Sequence, residues 1–201
     1  MFLLKSLKSN LNKISLFYRP TSIIRLKHDH SSPSSKIFLN DKYDNFTYND
    51  IFHLSKTLSN NILSNLNKTD LNGEKIAVLC SNNYTYLVSI LAIWMSNGVP
   101  LGLNKQYPNN LIEYFINDSK CKLVLNGIDT NSQDQSLELD KLLDKYRVVN
   151  YKLNENEFYT TKNKINNSSN DSDVLNSFNN LLNLDKNRQA VILYTSKLSS
   201  L

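Results

Sequence analysis

Lys75-Ile76-Ala77-Val78-Leu79-Cys80-Ser81-Asn82-Asn83, the apolar run Tyr84 to Ser96, and then Asn97-Gly98-Val99-Pro100-Leu101 form the stretch on which the fold turns. Ile76 to Leu79 is a short, continuous apolar run, the pattern of a strand buried on both faces. Ser81, Asn82 and Asn83 supply side-chain oxygens that can cap a helix, and Tyr84 to Ser96 is apolar enough to bury that helix deeply. Gly98 ends it, and Val99 to Leu103 reads as a second strand. A strand, a helix and a strand joined so closely call for parallel pairing with a crossover helix on one face.

The pattern continues on both sides. Downstream, Pro108 precedes a predicted helix from Asn109 to about Asn117, where its fixed φ is tolerated. Lys122 to Leu125 is a third strand, and a helix near Leu137 to Tyr146 with a strand near Val148 to Leu153 extends the alternation. Upstream, Thr47-Tyr48-Asn49-Asp50 opens a helix: Thr47 can cap it, and Asp50 places a carboxylate in its first turn. Ile51, Leu54, Leu58, Ile62 and Leu66 recur at spacings of three and four and mark its buried stripe. Gly73 breaks the chain before the first parallel strand, and Lys36 to Leu39 forms a short edge strand. Asn154 to Asp173 is polar and rich in Asn, Ser and Lys, as in a surface insertion. Val174 to Leu184 reads as a helix and Ala190 to Leu193 as a final strand. The expected fold class is therefore α/β, a partial parallel-sheet βαβ subdomain.

Charge distribution excludes one functional class. The 201 residues carry a formal net charge of +5, with 23 Lys and Arg against 18 Asp and Glu. Six of the cations, Lys5, Lys8, Lys13, Arg19, Arg25 and Lys27, precede the first acidic residue, Asp29. Without them the body holds 17 basic and 18 acidic residues, so it offers no basic stripe to nucleic acid. The acid-free leader contains Ser6, Ser9, Ser15 and Ser22, and Leu4, Leu7, Leu11, Ile14 and Tyr18 share one helical face. This is the pattern of a mitochondrial transit segment; a basic tail without structure is the other reading. Domain boundaries follow: 1–30 transit segment, 31–39 joint and edge strand, 40–201 the α/β body with its insertion at 154–173. The longest apolar stretch, near Leu87 to Met95, falls short of the roughly 20 residues a membrane helix needs. Cys80 and Cys121 lack CxxC spacing and read as buried reduced thiols. His28, His30 and His53 form no metal or catalytic constellation, and Glu113 and Asp118 read as helix-surface charges.

Chemistry is concentrated where the last strand runs into Tyr194-Thr195-Ser196. Hydroxyls and backbone N–H groups after a buried strand can face phosphate oxygens, although such a turn is more often an ordinary loop start. The order of elements adds weight. Thr47-Tyr48, Lys75 to Leu79 before Ser81-Asn82-Asn83, Ala92 to Leu101, Tyr107-Pro108 to Asp118-Ser119 with Val124-Leu125, and Ile192 to Ser196 together resemble the adenylate-forming, AMP-dependent acyl-CoA synthetase superfamily. The resemblance runs from about residue 40 to 196 and is poor from about 128 to 188. Cys80-Ser81-Asn82 and Trp94-Met95-Ser96 look most like its mitochondrial malonyl-CoA synthetase branch.

The resemblance implies ATP, Mg²⁺ and coenzyme A, with a small carboxylic acid (malonate or methylmalonate) activated as an acyl-adenylate and then transferred to the thiol. It assigns Thr195 and Ser196 to the ATP phosphate loop and implies a mitochondrial matrix location. It also implies a break. The family continues Y-T-S with a glycine, whereas this chain has Lys197 and ends at Leu201, inside the loop. A lysine adopts the φ > 0 conformations of such a loop poorly, so the expectation is an N-terminal fragment that is inactive alone, without catalytic or metal residues of its own. The alternative is a non-catalytic α/β module that binds a partner, an intact synthetase included.

Overall fold

The structure, a computed structural model, describes residues 36–40, 44–127, 133–154 and 187–194, with Phe158, Asn176, Leu181 and Asp185 singly. The described residues begin with β1 (Ile37–Asn40) and β2 (Asn45–Thr47), an antiparallel pair in which Leu39 faces Phe46. The edge strand was expected; its partner was not, because a three-residue strand is too short to show a period. Thr47 then caps α1 (Tyr48–Asn65) through a reciprocal capping box. The Asp50 amide donates to Thr47 Oγ1 at 3.2 Å, and the Thr47 amide donates to Asp50 Oδ2 at 2.8 Å. The shorter Asp side chain thus does what Glu more often does, a contribution of about 1 kcal/mol.

Six further elements alternate as predicted: β3 (Lys75–Leu79), α2 (Tyr84–Met95), β4 (Val99–Gly102), α3 (Asn109–Ser119), β5 (Leu123–Asn126) and α4 (Gln133–Tyr146), after which β6 (Val149–Lys152) closes the series. The four strands β3 to β6 pair in parallel in the order β4-β3-β5-β6. The chain steps from β3 outward to β4 and then back across β3 to β5. A reversal of direction at constant handedness must move the crossover helix to the other face, and it does. Ile76, Val78, Leu123 and Leu125 pack against α1 and α2, whereas Ala77, Leu79, Leu101 and Val124 pack against α3 and α4. The sheet is buried on both sides, which is why β3 reads as an unbroken apolar run.

Local details explain the breaks between elements. The left-handed residue that ends α2 is Asn97, at φ 59°, not the expected Gly98. Gly98 is required for space: a Cβ there would lie 2.6 Å from Leu71 Cδ1 and 3.0 Å from Ile93 Cγ2. At the same corner the hydroxyls of Ser59 on α1 and Ser96 share a buried hydrogen bond of 2.7 Å, satisfying two polar groups in an otherwise apolar contact. Cys80 and Cys121 are buried free thiols, as expected, and burial pushes the Cys121 thiol up to about 11. No helix among the described residues is long and apolar enough to cross a membrane. The expected insertion at 154–173 and helix at 174–184 lie, apart from Asn154, Phe158, Asn176 and Leu181, outside the described residues.

Candidate functional site

In an open parallel sheet, ligands bind beyond the carboxyl ends of the strands where successive connections leave in opposite directions. Here that point lies around β3, whose chain turns to one face while those leaving β4 and β5 turn to the other. A cleft of ≈ 380 Å³ opens there. Ser81 and Asn82 line it from the turn after β3, Lys105 and Tyr107 from the loop after β4, Tyr86 from α2, and Tyr194 from the last described segment.

Lys105 ties the strand ends together. Its Nζ donates to Ser81 Oγ at 2.9 Å and to the Gly127 carbonyl at 2.7 Å, joining the loop after β4 to those after β3 and β5. Gly127 can approach only because it lacks a side chain, since a Cβ would lie 2.7 Å from Cys80 Cβ. Burial, with the neighbouring Cys80, raises the Tyr86 hydroxyl above its ordinary value, so it stays neutral at physiological pH. Sequence reasoning passed over Lys105. An isolated lysine after a strand has the look of a solvated loop charge, and its partners lie 24 and 22 residues away.

The segment from Arg188 to Tyr194 is docked along the outer edge of β4. Arg188 Nη1 donates to Asn97 Oδ1 at 2.6 Å, Trp94 Nε1 donates to the Ala190 carbonyl at 2.8 Å, and the Ile192 amide donates to the Pro100 carbonyl at 2.9 Å. The expected strand at 190–193 is thus reduced to one parallel bridge, Leu101 with Ile192. With Val191 and Leu193 turned to solvent, side-chain anchors hold the segment in place of a continuous ladder. Tyr194 ends this run: its ring stacks on Phe115 at 4.2 Å and 24°, and its hydroxyl donates to Asp118. Burial, then the Asp118 carboxylate, pushes the Tyr194 hydroxyl far above its ordinary value.

Two expectations therefore change. Asp118 is not merely a surface charge on α3, because it receives the Tyr194 hydroxyl across 76 residues of sequence. Glu113 is likewise engaged, accepting from Lys145 Nζ at 2.7 Å and Tyr146 Oη at 2.7 Å on α4. The Lys145 and Tyr146 hydrogen bonds lower the Glu113 carboxyl, so this exposed tie between α3 and α4 persists at neutral pH and weakens once acid protonates Glu113. The predicted site residues Thr195 and Ser196 lie outside the described residues, as does Lys197; Tyr194, directly before them, lies in the cleft wall. Among the described residues no three His, Cys, Asp or Glu side chains gather to hold a metal ion. No metal-dependent step is assigned to these residues.

Comparison with known proteins gives this geometry a family. The AMP-binding enzyme family matches residues 26–196. The mitochondrial malonate–CoA ligase of Mus musculus is 39% identical over 94 residues, which is 46% of this chain and 16% of that protein. The corresponding Homo sapiens enzyme is 36% identical over 92 residues, covering 45% and 16%. Among solved structures, the ATP-bound RpMatB-BxBclM chimera B3 superposes with a TM-score of 0.58 at 19% identity, covering 86% of this chain and 31% of that one. ATP-bound MatB from Rhodopseudomonas palustris gives 0.52 at 22% identity, covering 64% and 24%. The matched region is about a sixth of the length of the curated relatives, and the structural likeness covers 64% to 86% of this chain. With a parallel α/β/α core, a switch-point cleft and a family match over most of its length, this chain belongs to the AMP-binding, adenylate-forming enzyme family.

Proposed function

We propose that this chain supplies the first α/β/α portion of an acid–thiol ligase that activates a small dicarboxylate, malonate or methylmalonate, as an acyl-adenylate and passes the acyl group to coenzyme A. The observation that carries this reading is Tyr194: it is the first residue of the Tyr194-Thr195-Ser196 segment, and its ring and hydroxyl are fixed at the cleft by Phe115 and Asp118. A rigid strand end gives a following phosphate loop its starting point, and positioning is a large part of catalysis in phosphoryl-type chemistry. In this reading Thr195 and Ser196 face the nucleotide phosphates, and ATP, Mg²⁺ and coenzyme A are the co-substrates of the whole enzyme. The malonate preference is supported by the names of the mouse and human relatives. Those names, with the acid-free leader at residues 1–28, also support import into the mitochondrial matrix.

By themselves these 201 residues are proposed not to turn over, since Lys197 stands where the family places a loop glycine. The test is pyrophosphate release in the presence of ATP, coenzyme A and malonate, methylmalonate or acetate. It is run on this chain, and on a chimera in which residues 31–194 replace the matching portion of a malonate–CoA ligase. The expected result is background release from the chain and malonate-dependent release from the chimera. A folded but inert chimera sinks the proposed role, and turnover by the chain alone sinks the proposed inactivity. A reporter carrying residues 1–30 that remains cytosolic would remove the matrix assignment.

A further inference from the structure

Lys105 is a cation with no carboxylate partner among the described residues. Its ammonium is half-buried, and its two partners, the Ser81 hydroxyl and the Gly127 carbonyl, are neutral acceptors. An ammonium has three donors, so these two bonds leave one N–H over. Among the described residues nothing balances the positive charge, and removing that charge from water has a cost that neutral acceptors only partly offset. Among the described residues no carboxylate lines the cleft; the other walls are Ser, Asn, Gln, Tyr, Cys, Gly and Leu. Among the described residues, Lys68, Lys145 and Lys152 sit in ion pairs with Glu74, Glu113 and Asp140. Lys105 is instead held by neutral acceptors, at the place where the topology opens a ligand cleft.

We propose that Lys105, with Ser81 beside it, forms an oxyanion-binding point in the cleft, taking a phosphate or carboxylate group on the third ammonium hydrogen. Charge-assisted bonds of this kind are about twice as strong as neutral ones, and the tie to Ser81 and Gly127 holds the ammonium before the ligand arrives, which lowers the entropic cost of binding. The inference rests on the reading of this cleft as the ligand-facing end of the sheet. It requires neither malonate as substrate nor turnover, and so it stands or falls by binding alone.

The experiment is an amide chemical-shift titration of the full chain with inorganic phosphate, pyrophosphate and malonate at constant ionic strength. Saturable shifts centred on Ser81, Lys105 and Gly127 are expected, and Lys105→Met is expected to weaken binding by about tenfold or more without altering the circular dichroism spectrum. Response to the phosphates alone identifies a phosphate group as the ligand, and response to malonate alone identifies a carboxylate; either supports the site. No saturable shift, or the same affinity in Lys105→Met, overturns it. If Lys105→Met fails to fold, Lys105→Arg keeps the charge and decides the matter by the position of its shifts: around the cleft they support the site, elsewhere they overturn it. An inert chimera in the activity assay leaves these shifts unchanged, so failure of the proposed ligase role and failure of the anion site are distinguishable.

Discussion

Ile76→Ala and Leu79→Ala, made separately, are each expected to lower the free energy of unfolding by about 2–5 kcal/mol, read as a shift in the midpoint of urea denaturation. Both residues belong to β3 and both have no exposed surface. They point to opposite faces: Ile76 packs in the cluster formed with α1 and α2, and Leu79 in the cluster formed with α3 and α4. A sheet covered on one side only would make one of the two substitutions nearly neutral, so the pair tests the three-layer architecture as well as local packing. Single-domain stability is typically only about 5–15 kcal/mol, so either loss is a large share of the total. Leu193→Ala is the control. That side chain is 65% exposed, and a change within about 0.5 kcal/mol is expected.

The second large effect is local. Tyr194→Ala removes a stacked aromatic contact with Phe115 and a hydrogen bond to the Asp118 carboxylate, together about 2 kcal/mol or more of docking free energy for a half-exposed group. Among the described residues a single bridge joins this segment to the sheet, so the loss falls on the segment and not on the core. Amide exchange at Ile192, which donates to Pro100, is expected to accelerate by about tenfold or more, while amides of β3 and β5 keep their protection. Tyr194→Phe retains the stack and loses the hydroxyl, and is expected to fall between the two. Unchanged exchange at Ile192 in Tyr194→Ala would show that Arg188, Trp94 and the Pro100 bond hold the strand end without it. Because burial and Asp118 keep the Tyr194 hydroxyl protonated well into alkaline solution, the same difference is expected across neutral and mildly alkaline pH.

Much of the fold was legible before any coordinates because local patterns and tertiary environment agree. An unbroken apolar strand, a capped apolar helix and a second strand leave few topologies once right-handed crossovers are required. Thr47, Asn83 and Pro108 sit at the helix starts where their chemistry put them. The same patterns did not reveal β2, since three residues carry no period, and they misjudged the end of α2. There Asn97 takes the left-handed backbone and Gly98 is needed for the approach of Leu71. Either residue can end a helix, and only the packed corner assigns the two roles.

The site divides in a similar way. Tyr194-Thr195-Ser196 after an apolar run, in the order of elements around it, was sufficient to identify the adenylate-forming family from sequence. The residues that hold that run were not legible, because what defines them is a partner distant in sequence. Asp118 has the spacing of a solvated helix charge until Tyr194 reaches it, and Trp94 looks like one more apolar helix residue until its indole donates to Ala190. Lys105 is the clearest case. Sequence alone determined the alternation of strands and helices, the acid-free leader and the family, because each is written in local composition and order. Only the tertiary structure decided which cation ties the strand ends together, with no carboxylate beside it among the described residues. Burial, charge balance and hydrogen-bond partners belong to the space between β3, β4 and β5, and no single segment carries them.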